Sequence, residues 1–167
     1  MEQKSPIIDP TAFVADTARI LGDVTLGRLV VVLYGAVLRA EFDRISVGER
    51  TNVQDNAVLH VDKDVPCDVG SDVTIGHGAV VHGASVGDHC LIGIGAIALH
   101  RSVVGEGAWL GAGSLLGEGA VIPPWTLAVG TPARPIRELT ESEVLRQREG
   151  IASYQRIGET YRRSGAP

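Results

Sequence analysis

Three histidines, His60, His77 and His82, stand close together mid-chain, within or next to the stretch VQDNAVLHVDKDVPCDVGSDVTIGHGAVVHG from Val53 to Gly83. A Gln54-Asp55 pair lies just upstream of the first. Three imidazoles make a ligand set for one divalent ion. Zinc takes imidazole nitrogen at about 2.0–2.1 Å, and a three-histidine site keeps one position open for water. Water held there has its pKa lowered to around 7, so hydroxide is available at neutral pH. Taken singly, each of these residues reads as a surface histidine in a turn. Reading them as a set requires a scaffold that brings them into register.

That scaffold is a repeat. Small aliphatics recur every six residues, usually followed by glycine: Val69-Gly70, Ile75-Gly76, Val81, Val86-Gly87, Ile92-Gly93, Ala98, Val104-Gly105, Leu110-Gly111, Leu116-Gly117 and Ile122. Upstream, Leu26-Gly27, Val32, Leu38, Val47-Gly48, Val53 and Leu59 continue the phase. A helix shows a period of 3.6 and an ordinary strand a period of 2. A period of six over most of the chain signals a solenoid. Each hexad is one short strand plus a turn, and three hexads close a triangular coil with the aliphatic pointing inward. The competing fold, a β-sandwich with glycine-rich turns, does not explain a constant period.

Counting along the coils sorts the histidines. With Val47, Val53 and Leu59 as the inward residues of faces one, two and three, Val69, Ile75 and Val81 restart the count after the loop VDKDVPCD. His60 and His82 each follow a face-three aliphatic and stack in one outward column, with Arg39 a coil earlier. Adjacent coils lie about 4.8 Å apart, a spacing at which two imidazoles can share an ion. His77 falls instead at the corner leaving face two, in a second column with Asp55. One prism cannot fold that corner onto face three, but a neighbouring subunit can present it there. Three-fold rotation closes such contacts into a ring, so the expected state is a homotrimer with metal at its interfaces. His89 and His100 fall outside both columns and read as surface residues.

Other features bound the class. At 167 residues the length suits one domain, and the net charge of -5 argues against a nucleic-acid partner. Hydrophobic residues reach 44% beside 21 glycines, which excludes both disorder and, without a glycine every third residue, collagen. Two cysteines make no disulfide framework, and neither a leader-like nor a membrane-spanning apolar run is present, so a cytoplasmic setting is expected. Cys90 takes an inward position, Cys67 lies in the short loop, and Trp109 and Trp125 pack at the surface, under the terminal helix or at the interface. Thr140-Glu141-Ser142-Glu143 is a capping box. It opens an amphipathic helix over about 141 to 163, with Val144, Leu145, Ile151, Tyr154, Ile157 and Tyr161 at helical spacing. The expected division is a β-helix over 1–136 and a segment over 137–167 carrying the docked helix.

The stretch LRAEFDRISVGERTNVQDNAVLHV followed by TIGHGAVVHG resembles the γ-class carbonic anhydrases and their short-loop bacterial relatives, and the likeness covers nearly the whole chain. It implies an all-β solenoid, a left-handed parallel β-helix of hexapeptide repeats with a C-terminal α-helix packed outside. The left hand comes from the resemblance and is an exception to the usual right-handed crossover. It implies a lyase that hydrates carbon dioxide reversibly to bicarbonate by metal-bound hydroxide. His60 and His82 of one subunit and His77 of the next would hold zinc, or iron(II) or cobalt(II). It further implies that Gln54 orients the hydroxide, Asn52 orients carbon dioxide, Tyr154 lines the pocket, and Arg39 and Asp55 pair across the interface. Glu41 stands where the family usually has an aspartate. The loop VDKDVPCD is short and lacks the family's glutamate proton shuttle; Asp62 and Asp64 are candidate substitutes, with solvated turn residues as the competing reading of both. Arg156 replaces a residue that is often Asn or Glu. Competing functions are a metal-dependent thioesterase-type hydrolase on small acyl-CoA, a hexapeptide acyltransferase, and a catalytically weak structural trimer.

Overall fold

The structure, a computed structural model, describes residues 4–165. The outer ends of the two expected spans, residues 1–3 and 166–167, lie outside the described residues. The chain winds into a parallel β-solenoid of about seven turns closed by one C-terminal helix. The six-residue count survives as three ladders of paired strands. Leu26, Val47, Val69, Val86, Val104 and Ile122 align on face one. Val32, Val53, Ile75, Ile92, Leu110 and Ala128 align on face two. Leu38, Leu59, Val81, Ala98 and Leu116 align on face three. All are buried and form one continuous core. Each inward aliphatic removes apolar surface from water at roughly 25 cal/mol per Å².

Most of the glycines beside these aliphatics answer a steric demand. A Cβ at Gly93 would lie 2.5 Å from the backbone nitrogen of Ala112 in the next coil, and one at Gly48 2.5 Å from the carbonyl carbon of Gly70. The count is stretched in one place. Arg19–Leu26 and Val37–Val47 run as unbroken strands from face three to face one, with the register shifting between Gly22 and Val24. The extra residues bow outward at the corner and carry Glu41 beside the His60 column. The solenoid ends in the antiparallel pair Thr126–Gly130 and Ala133–Glu138.

The helix, α1, spans Glu141–Ser164. Its predicted capping box is formed in full: the Thr140 hydroxyl accepts from the Glu143 backbone N–H, and the Glu143 carboxylate accepts from the Thr140 N–H. Arg137 donates two hydrogen bonds of 2.8 Å to the same carboxylate and holds its pKa down at about 2. The helix lies over face two. Tyr154 and Tyr161 pack against the cluster of Phe13, Val31 and Leu33, and the Gln147 side chain donates to the Cys90 carbonyl at 3.0 Å. Leu145, expected on the packing face, is half exposed, because the buried stripe runs through Gln147, Ile151 and Gly158 instead. Among the described residues no helix is long and apolar enough to cross a membrane.

Both helix glycines cost helix propensity, yet only one has a packing reason. A Cβ at Gly158 would stand 2.5 Å from Cγ2 of the buried, stiff Val31, whereas one at Gly150 meets nothing within 4 Å. Gly150→Ala is therefore expected to raise stability by up to about 1 kcal/mol. Gly158→Ala is expected to lower it despite the same propensity gain. Thermal unfolding of the two variants side by side checks the difference in sign.

Candidate metal centre

Face three carries one half of the candidate site. Strand pairing sets Arg39, His60 and His82 side by side, as the count predicts. The two imidazoles meet: Nδ1 of His60 and Nε2 of His82 are 2.8 Å apart. The other His60 nitrogen lies 3.3 Å from Glu41, whose carboxylate also accepts from the Arg39 guanidinium. Burial pushes the pKa of both histidines below the usual imidazole value. The Arg39 charge adds to this at His60, and His100 and then His60 add to it at His82. Both rings are thus biased to the neutral form, the form that ligates a metal.

The corner after face two carries the other half. Asp55 and His77 occupy equivalent slots in successive coils, and the carboxylate pairs with His77 Nδ1 at 2.9 Å. The backbone N–H of His77 donates to Gln54 Oε1 at 3.2 Å, and the Tyr154 hydroxyl of α1 lies 3.4 Å from His77 Nε2. Burial, with a smaller contribution from Asp55, raises the Tyr154 pKa, so the phenol keeps its proton. Gln54 and Asn52 are buried beneath this corner. The Gln54 amide donates to Asn52 Oδ1 at 3.1 Å, and the Asn52 amide donates to Thr74 Oγ1 at 3.0 Å. Asn52 thus fixes the orientation of Gln54. Within one chain Arg39 pairs with Glu41, and Asp55 pairs with His77.

His60, His77 and His82 do not converge within a single chain. Among the described residues, the one group of three ligand-type side chains whose donor atoms lie within 4.8 Å of one another is Asp62, His82 and His100. His100, read from its register as an ordinary surface residue, is therefore a neighbour of the site. Its ring meets His82 at a centroid distance of 4.3 Å, and its Nε2 is 2.6 Å from Asp62. Face three thus presents a polar line from Arg39 and Glu41 through His60 and His82 to His100 and Asp62. Two buried atoms along it, Glu41 Oε2 and His82 Nδ1, have no hydrogen-bond partner. Neutral imidazoles next to carboxylates, with a ligand-type atom of each kind left buried and unpaired, fit a divalent transition-metal ion.

The remaining candidates resolve as structure. Cys67, expected in the loop, is an inward strand residue paired with Ile45 and fully buried, and burial pushes its thiol up to about 12. Cys90 is buried likewise, with its thiol also near 12. His89 stacks on Trp125, and Arg146 of α1 lies over Trp109.

No protein-family model matches the chain. The mitochondrial γ carbonic anhydrase 1 of Arabidopsis thaliana is 39% identical over 164 residues, covering 95% of this chain and 60% of the relative. A carbonic anhydrase of Geobacillus kaustophilus is 40% identical over 159 residues, covering 95% and 87%. The crystal structure of a hexapeptide transferase family protein from Anaplasma phagocytophilum superposes with a TM-score of 0.90 at 40% identity, covering 93% and 92%. The chain spans 60% of the length of the Arabidopsis relative, and most of the length of the other two. An identity of 38–40% sustained over nearly all its residues shows that the chain belongs to the γ-class carbonic anhydrase family.

Proposed function

We propose that this chain is a metal-dependent carbonic anhydrase that interconverts carbon dioxide and bicarbonate as a homotrimer. Each interface would bring His60 and His82 of one subunit to His77 of the next. The observation that carries the reading is the division of the three histidines. Two stack on face three, and the third stands at a separate corner beside Asp55 and Tyr154. A divalent ion held by the three imidazoles, zinc or alternatively iron(II) or cobalt(II), supplies a water acidified to near neutrality.

The chain's own groups do the rest. Burial biases His60 and His82 toward the neutral form. Glu41 anchors the His60 ring through Nε2, the kind of outer contact that sets ring orientation and basicity in metal sites. Asn52 and the His77 backbone each use part of the Gln54 amide. A primary amide carries two N–H groups and two lone pairs, so Gln54 keeps one N–H to orient an oxygen of the reacting water or of bicarbonate. The Tyr154 phenol, protonated and fixed on α1, walls the site on the corner side. Arg39 and Asp55, on opposite halves, are suited to pair across the interface once subunits dock, and the reading places the protein in the cytoplasm.

Stopped-flow hydration of carbon dioxide by protein loaded with metal without oxygen tests the activity. The expected result is a rate well above that of the same protein stripped by a chelator; equal rates would reject it. The transferase described by the structural relative makes acyl transfer the second reading. Turnover of acyl-CoA that persists after metal removal would favour it.

A further inference from the structure

The interface site uses neither His100 nor Asp62 as a metal ligand. We propose that Asp62, His82 and His100 form a second cradle for a divalent transition-metal ion, one contained within a single subunit. It shares His82 with the interface site, and it rests on the proposed function only for that sharing. Three observations carry it. Donor atoms of the three side chains already lie within 4.8 Å of one another. The His100 ring stands edge-on to His82 at 4.3 Å and 70°, with its Nε2 2.6 Å from Asp62 Oδ2. His82 directs Nε2 to His60, and its Nδ1 is buried with no partner at all.

A surface ion pair would account for Asp62 and His100 alone. It does not account for a third ligand-type side chain, the His82 imidazole, within the same 4.8 Å, nor for the missing hydrogen-bond partner of its Nδ1, since a buried polar atom left unpaired is costly. Two imidazoles with one carboxylate make the donor set of His₂-carboxylate zinc sites and of non-haem iron sites. Calcium and magnesium prefer oxygen-only shells. Both added ligands sit on braced turns. Asp62 and Val65 exchange backbone hydrogen bonds across a tight turn, and the His100 carbonyl accepts from the Gly119 N–H at 2.9 Å. Because His82 belongs to both sets, a subunit can hold its ion before a neighbour supplies His77, and docking then moves the ion to the interface.

Anaerobic cobalt(II) titration of the full chain tests this, read by visible absorbance and by metal per chain. His77→Ala removes the neighbour's ligand, and His100→Ala or Asp62→Asn is then added to it. Asp62→Asn is isosteric and keeps a hydrogen-bonding group for His100, so it guards against a folding defect, which circular dichroism monitors. The expected result is that His77→Ala still binds one cobalt per chain. Adding either further substitution weakens that binding by about tenfold or more. Failure of His77→Ala to bind cobalt would overturn the proposal, as would binding indifferent to both added substitutions. A His77→Ala protein with unchanged cobalt spectrum and unchanged hydration rate would instead count against the interface site, whatever His100 and Asp62 do.

Discussion

Replacing His82 with alanine is expected to remove bound metal and carbon dioxide hydration together while leaving the solenoid intact. His82 is the most connected ligand on face three, 2.8 Å from His60 and edge-on to His100. Its loss deletes a ligand from the interface site and from the intrachain cradle at once, so neither can compensate. A bound metal contributes several kcal/mol to stabilising a polarised transition state, so the rate should fall by at least about a hundredfold. The fold should not follow. The inward residue of that strand is Val81, which stays fully buried between Leu59 and Ala98. Metal content, stopped-flow rate and thermal unfolding measured on one preparation separate loss of the site from loss of structure. A variant with wild-type metal content and rate would exclude His82 as a ligand.

Much of this arrangement is legible from spacing because a solenoid converts sequence distance into stacking. A step of one coil puts Arg39, His60 and His82 in adjacent register, and the strand pairing follows that count. The same step stacks Asp55 on His77. Glycines beside the inward aliphatics announce turns where the next coil's backbone approaches to within a Cβ. The helix start was equally plain, because a capping box is a local device that needs no tertiary context.

The misses fall where the period lapses. Register fixes a residue on the flat of a face, but a corner side chain can turn either way. His100 lies one position beyond Leu99, the next-coil counterpart of His82, yet its ring turns back to meet His82. Counting in sixes restarts at Val69 and so leaves Cys67 in the loop. The coil in fact resumes two residues earlier, and Cys67-Asp68-Val69 already alternates buried, half-buried, buried. The apolar–polar–apolar alternation of those three residues is the strand's own signal. Glu41 reaches His60 from a bowed corner where the strand runs past the hexad length. Asn52 gives no hint in the sequence that its amide is committed to Gln54 and Thr74, since that follows from burial under α1.

The division of each site between two subunits is the claim on which the function turns, and mixed trimers test it most directly. His77→Ala retains an intact His60–His82 pair, whereas His82→Ala retains an intact His77. Each variant alone is expected to be inactive. Equal amounts co-expressed or refolded together should regain activity, because an interface pairing the intact face of one with the intact corner of the other is complete. Random assortment makes one half of the faces and one half of the corners intact, so about one interface in four recovers in a closed ring. Native mass spectrometry confirms that the subunits have mixed. Roughly a quarter of wild-type hydration is the predicted result; mixed trimers no more active than their parents would contradict a site shared between chains.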